Sequence, residues 1–273
     1  MKGSIQSEVQ LKFIYDESRK RTVLSHRRAG GLCSISKPYW DRDVLGLQLV
    51  NPTAGLFSGD SLGMNVAIAK KAQVALTSPS AARYHTMPDG QALITQEFHI
   101  ADHAWLDYWP EIIIPQKDSD VFQTTRIHLA KEASMVFLDS LAPGRIAHGE
   151  NYQFRRLETC LEIYQNNDLV TKERTVLSPA SGKWPLDVPG WDTCYYAAIW
   201  IAGNEASQTI EALQQEQSLS SEHTHCGASL LAPQLGVVRV IASSSLVLKN
   251  TTLHLRELIQ KNLPQLAMSF RKI

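Results

Sequence analysis

The sequence predicts a mainly β fold: a stacked-strand, superhelical, solenoid-like domain with a few helices towards the C-terminus. Three observations predict it. Apolar and polar residues alternate with period two over many short runs, as they do in half-buried strands. A five-residue pattern, apolar-Ala-x-x-Ala, recurs three times at spacings of 32 and 29 residues. Helical periodicity is confined to late segments.

Along the chain, Val9, Leu11, Phe13 and Tyr15 form the first alternating run, and Met64, Val66 and Ile68 form another. Similar runs cover about 92–100, 121–129, 152–163 and 235–242. The repeats read Ile68-Ala69-Lys70-Lys71-Ala72, Ile100-Ala101-Asp102-His103-Ala104 and Leu129-Ala130-Lys131-Glu132-Ala133. Each follows one strand-like run and precedes another, with two polar residues between the alanines where a tight reversal needs them. A period of this length marks units that bury their faces by stacking on their neighbours. Loops at 78–91, 110–120 and 140–151 follow the units, so they are expected on one side of the stack, the side that carries function in such folds. Helices are expected over 204–217, with Asn204 as N-cap, and over 253–263, ahead of Pro264. No linker rich in Pro, Gly or Ser divides the chain, which predicts a single domain over 1–273.

With 44% hydrophobic and 20% charged residues, the 273-residue chain is not a disordered one. No apolar run approaches the roughly 20 residues that span a bilayer, and MKGSIQSEVQLKF is not a secretory leader, so a cytoplasmic protein is expected. Net charge is zero, so no global field draws nucleic acid or a membrane. The charge is uneven, with residues 1–43 and 246–273 each at net +4 and the body between them at −8. An acidic body of this kind suits cation handling or protein docking, and scattered surface charge is the plainer alternative. The four cysteines have no CxxC spacing and are expected reduced, with Cys160 and Cys194 in core-like runs.

GxSxG, HExxH, a Walker loop and GxGxxG are all absent, which weakens the case for an enzyme. In Asn51–Asp60, NPTAGLFSGD, Asn51 and Pro52 open a turn, Gly55 and Gly59 permit unusual backbone angles, and Asp60 stands at the exit. That carboxylate either meets a cation or caps its own turn. A second loop gathers Arg145, His148, Gly149 and Glu150, and a third, WPEIIIP, brackets an apolar run between Pro110 and Pro115. His223-Thr224-His225-Cys226 offers ligand types suited to nickel, zinc or copper, but no fourth ligand lies near in sequence. A metal-dependent hydrolase on stacked strands, using Asp60, His148 and Glu150, is the alternative to a binding or chaperone role.

NPTAGLFSGD resembles the Asn-Pro, glycine-rich, Gly-Gly-Asp segment of the urease accessory protein family UreD, also called UreH, with Thr53, Ala54 and Ser58 in place of glycines. The resemblance runs on through LTSPSAARYH (76–85), WPEIIIPQKDSD, GRIAHGE (144–150) and Lys172-Glu173-Arg174, in order over about residues 30–245. It implies a β-rich superhelical fold and a chaperone rather than an enzyme. Such a protein binds apo-urease and the accessory protein UreF, which recruits the nickel-carrying GTPase UreG. An internal passage for nickel is implied, with no tightly bound cofactor and nickel only in transit. Asp60, Asp139 and Glu173 are the implied path residues, of which Asp60 and Glu173 lie in matched motifs and Asp139 just ahead of the GRIAHGE loop. Asn51, Pro52, Gly55, Gly59, Arg145, Gly149 and Glu150 are the remaining motif residues, and Glu150 either joins the path or pairs with Arg145. His223, His225 and Cys226 are not a family hallmark, so their role stays open.

Overall fold

A computed structural model describes residues 3–181, 188–216 and 219–267 of the chain. The first part holds β1 (Gln6–Asp16), β2 (Arg21–Arg28), β3 (Ser34–Ile35), β4 (Tyr39–Asp41), β5 (Val44–Val50), β6 (Ser61–Ile68), β7 (Gln73–Thr77) and β8 (Ala82–Tyr84). There follow β9 (Ala92–Ile100), β10 (Trp105–Trp109), β11 (Ile113–Pro115), β12 (Asp120–Leu129), β13 (Ser134–Leu141), β14 (Arg156–Gln165) and β15 (Asp168–Leu177). The last part holds β16 (Tyr195–Ala202), α1 (Ala206–Gln214), β17 (Thr224–Ala232), β18 (Leu235–Ala242) and α2 (Ser245–Gln260).

Two sheets result. One has the order β15-β14-β12-β9-β6-β1-β2, and the other β17-β18-β16-β13-β10-β7-β5-β3. The chain passes from the first sheet to the second at each Ala-x-x-Ala turn, then returns through a loop to the next rung. Successive rungs therefore pair in parallel: β6 with β9, β9 with β12 and β12 with β14 in one sheet, β7 with β10 and β10 with β13 in the other. This is the solenoid that the repeat predicts.

The turns stack in register. Ala101 N–H donates to Ile68 O and Ala130 N–H to Ile100 O, while Ala72, Ala104 and Ala133 each close their own turn onto Ala69, Ala101 and Ala130. Ala72, Ala104 and Ala133 are buried, and their small size lets adjacent turns approach at the spacing of hydrogen-bonded strands. Lys71 and His103 hold left-handed φ of 65° and 55°, a backbone that Asn or Gly would adopt more readily.

Between the sheets lies one apolar cluster, with Val9, Leu11 and Phe13 from β1 facing Leu45 and Leu47 from β5, and with Phe98, Ile127 and Ile163 facing Met135, Phe137 and Trp200. A second cluster lies behind the second sheet, where α1 and α2 cover Trp105, Val136, Ile199 and Val238. Burying β10, β13, β16 and β18 on both faces explains their near-continuous apolar character.

Both helices start elsewhere than the sequence predicts. Asn204 is drawn into tertiary contacts, donating to Glu132 at 2.9 Å and accepting from Gln234 at 2.6 Å, so α1 begins beyond it, behind Glu205. Gln217, its expected end, lies outside the described residues. The second helix begins eight residues before Leu253, with Ser244 Oγ accepting from Val247 N–H at 3.2 Å. Exposed Leu246 and Leu253 obscured its buried stripe of Leu248, Thr252, Leu255, Arg256 and Ile259. The run expected from 152 starts as a strand only at Arg156, because Tyr152 sits in a loop with a left-handed φ of 54° and bonds to Pro143 O.

Candidate functional site

The return loops do collect at one end of the stack. Ala82 N–H donates to Ile112 O, Ala142 N–H to Ile113 O, Met87 N–H to Asp118 O and Asp118 N–H to Gln153 O. Arg155 fastens this end, donating to Asp120 at 2.9 Å and to Met87 O at 3.0 Å.

Asn51 opens the first loop as an Asx turn, accepting at Oδ1 from Thr53 N–H at 2.8 Å and from Thr53 Oγ1 at 2.7 Å, while Pro52 is exposed. Gly55 has φ of 145° where the chain crosses Arg83; a Cβ there would stand 2.3 Å from Arg83 O, so no other residue fits. Gly59 accepts from Gln6 Nε2 at 3.1 Å. Asp60 is buried, with Oδ1 accepting from Ile5 N–H and Oδ2 from Phe57 N–H, each at 2.8 Å. That is the geometry of a cap which also ties the chain's first strand to the loop. Asparagine can serve only one of these donors, and its NH₂ would face the other. Asp60→Asn should therefore cost about 1–3 kcal/mol in denaturant unfolding, and a loss within about 0.5 kcal/mol would contradict this geometry.

Arg145 and Glu150 form a forked ion pair, with Arg145 Nε donating at 2.8 Å and Nη2 to the other oxygen, and Lys117 N–H adds a third donor at 3.1 Å. Arg145, against the cost of burial, holds the Glu150 carboxyl below the usual range. Gly149 ends the short 3-10 turn Ile146–His148 with a left-handed φ of 73°. His148 is exposed. Both carboxylates of the hydrolase alternative are thus engaged, Asp60 by two backbone amides and Glu150 by a guanidinium.

The HTHC segment does not assemble. His225 and Cys226 are consecutive on β17 and point to opposite faces. His225 is exposed and stacks on Trp191 at 5.2 Å, whereas Cys226 packs towards the helix-covered cluster and burial pushes its thiol up to about 11. The His223 ring lies 3.3 Å from Glu222. All four cysteines are free, Cys194 buried and Cys160 half-buried.

Asp139 and Glu173 both take inward positions, one in each sheet, and are half-buried. Met135, Phe137, Asp139 and Leu141 alternate inwards on β13, and Glu173 faces them from β15 in the row Glu173–Leu161–Thr125–Gln96–Met64. Asp139 pairs in register with Ala198, which pairs with Arg239, so a small residue separates the carboxylate from the guanidinium. Arg239 donates to Glu173 and lies 5.7 Å from the Trp200 ring centre. Tyr84, Tyr108 and Tyr196 complete the inner wall. Tyr84 Oη donates to Gln123 at 3.3 Å, Gln96 Nε2 donates to Tyr108 Oη at 3.2 Å, and Thr125 Oγ1 donates to Gln96 at 3.0 Å. The first two bonds cross from one sheet to the other, the third runs along the first sheet from β12 to β9, and together they carry a polar band through an otherwise apolar interior.

Burial, and next the nearby charge of Glu173, push the Asp139 carboxyl up to about 6. Burial also keeps all three phenols neutral, Tyr196 being pushed up to about 12. The band thus offers one readily protonated carboxylate, one carboxylate balanced by a guanidinium, and several neutral oxygens. Hard oxygen donors hold a borderline divalent cation loosely, which suits passage better than storage. The phenols, Gln96 and Arg239 were not singled out from sequence. Their signal was polar residues at the inward parity of strands whose other inward positions are apolar.

The UreD urease accessory protein family model matches residues 6–272. A urease accessory protein UreD from Opitutus terrae is 34% identical over 245 residues, covering 88% of this chain and 89% of its own length. A urease accessory protein UreH from Helicobacter hepaticus is 36% identical over 146 residues, 54% of this chain and 58% of that protein. A urease accessory protein UreD from Bacillus cereus is 25% identical over 228 residues, 82% of each. No helix among the described residues is long and apolar enough to cross a membrane.

Proposed function

The chain belongs to the UreD urease accessory protein family, and from that premise we propose that it is a non-catalytic maturation chaperone which binds apo-urease and helps deliver nickel to its active site. It works in the cytoplasm with UreF, and through UreF with the nickel-carrying GTPase UreG, and needs neither nucleic acid nor a membrane. Nickel is its cargo, not a resident cofactor. The ion passes between the two sheets along the band of Asp139, Glu173 and the three phenols.

What carries this reading is one observation: two half-buried carboxylates sit at inward positions of the two sheets, the exposed Arg239 bonds one of them, and burial raises the other. Such an arrangement is a liability for folding. A cation in transit would relieve it, and the single Arg239 counter-charge limits how tightly that cation is held. Asp60 and the Arg145–Glu150 pair then serve as the braces of the loop end, where partners are expected to dock.

Co-expression with the urease subunits and a UreF-like protein tests this. Apo-urease and the UreF-like protein should both be recovered on the tagged chain. Recovery of neither, from folded chain, would contradict the proposal.

A further inference from the structure

On the outer face of the first sheet, away from the polar band, Glu97, His99 and His128 converge. Their ligand atoms all lie within 4.8 Å of one another, and Glu97 Oε1 is 3.4 Å from the Nε2 of each imidazole. We propose that these three residues form a second, surface site for a borderline divalent cation of the nickel or zinc class.

The solenoid builds the site. His99 and His128 each precede the apolar-Ala of their repeat, so they occupy equivalent positions and stand opposite each other across the parallel β9–β12 pair. Glu97, two residues before His99, shares its face. The imidazoles stack at 4.8 Å, the strand spacing, and Tyr164 stacks on the far side of His128 at the same 4.8 Å. Ala67 fills the corresponding position on β6, which leaves the flank of His99 open.

Three features point to a cation rather than to ordinary surface polarity. The 3.4 Å separations match the edge of a tetrahedron with metal–ligand bonds of about 2.0–2.1 Å, and turning the rings about χ2 brings the two nitrogens together. His128 Nε2 is buried and makes no hydrogen bond of good geometry among the described residues, Glu97 Oε1 standing off at 3.4 Å. Arg126 and Lys172, two cations of the same face, both pair with Glu162, at 3.1 and 2.8 Å, while Glu97 Oε1 is nearest the two imidazoles. Beside the triad, Lys12, Asn166 and Asn167 help to line a groove of about 530 Å³, with room for the waters or partner ligand that complete the coordination.

The site goes beyond the delivery role, and its test needs no urease. Metal-free full-length chain is titrated with Ni²⁺, and separately with Zn²⁺, by calorimetry at pH 7.5, with circular dichroism as the check on folding. Wild type should bind one more equivalent of at least one of the two ions than His128→Ala does, and Glu97→Gln and His99→Gln should each weaken that equivalent at least tenfold. Asp139→Asn should retain it, which separates this site from the polar band. Glu97 is half-buried on the outer face and His99 is exposed, so those two variants stay folded even where His128→Ala does not. Folded Glu97→Gln and His99→Gln that bind both ions with wild-type stoichiometry and affinity would overturn the proposal.

Discussion

Arg256→Met should be the most destabilising of the substitutions considered for this chain, costing about 3–5 kcal/mol. Arg256 lies on α2 and reaches through the helix-covered cluster to Asp107 on β10, donating from Nη1 at 2.9 Å and from Nη2 at 2.5 Å. It also donates to Leu266 O at 3.3 Å and lies 4.7 Å from the Trp109 ring centre. Asp107 is fully buried; burial raises its carboxyl and the guanidinium pulls it back. Methionine fills the volume but leaves a carboxyl with no partner, which must either ionise in an apolar site or take up a proton. The pair Asp107→Leu with Arg256→Met should recover most of the loss, since replacing both charges removes the desolvation cost as well as the attraction. Urea unfolding measures both. A loss below about 1 kcal/mol for Arg256→Met would show that α2 does not depend on this bond.

Asp139→Asn should stabilise the metal-free chain above pH 6. Its carboxyl is raised from the ordinary 3.8 to about 6, so the folded state binds the proton more tightly than the unfolded state does. The resulting stability is fully present below about pH 4 and is lost as pH rises through about 6. At pH 7.5 the ionised carboxylate therefore costs the fold about 1–3 kcal/mol, with partial solvent access counted, and an amide removes that cost. Melting curves of both chains should converge near pH 4 and separate above pH 6, the variant being the more stable. A variant less stable than wild type at pH 7.5 would make Asp139 a structural residue. A residue that costs stability and is retained for function leaves the opposite signature.

Much of the scaffold was legible because the solenoid writes itself into the sequence. Ala72, Ala104 and Ala133 must be small where turns stack, and Val66, Phe98 and Ile127 must be apolar where rungs share a core. The helices were less legible. Tertiary contacts hold Asn204, and exposed leucines blur the period of α2. The two functional clusters divide in the same way. Asp139 and Glu173 were within reach through the motifs around them. The phenols and Arg239 carried a weaker signal, polar residues at inward positions, because β10, β16 and β18 are largely apolar at both parities and β8, which holds Tyr84, is three residues long. His99 and His128 looked scattered at 29 residues apart, yet that is the spacing of the second and third repeats. Aligning the repeats beyond their alanines would have placed the two imidazoles side by side. Asp60 shows the converse: a motif aspartate whose two oxygens are both taken by backbone amides.

The most direct test of the polar band is the nickel content of urease matured under limiting nickel, with wild-type chain, with Asp139→Asn, and with no chain. The band predicts that the Asn variant folds and recovers apo-urease as wild type does, while urease matured with it holds on the order of tenfold less nickel, close to the level without the chain. Full nickel loading by a folded, urease-bound Asp139→Asn would contradict a path between the sheets.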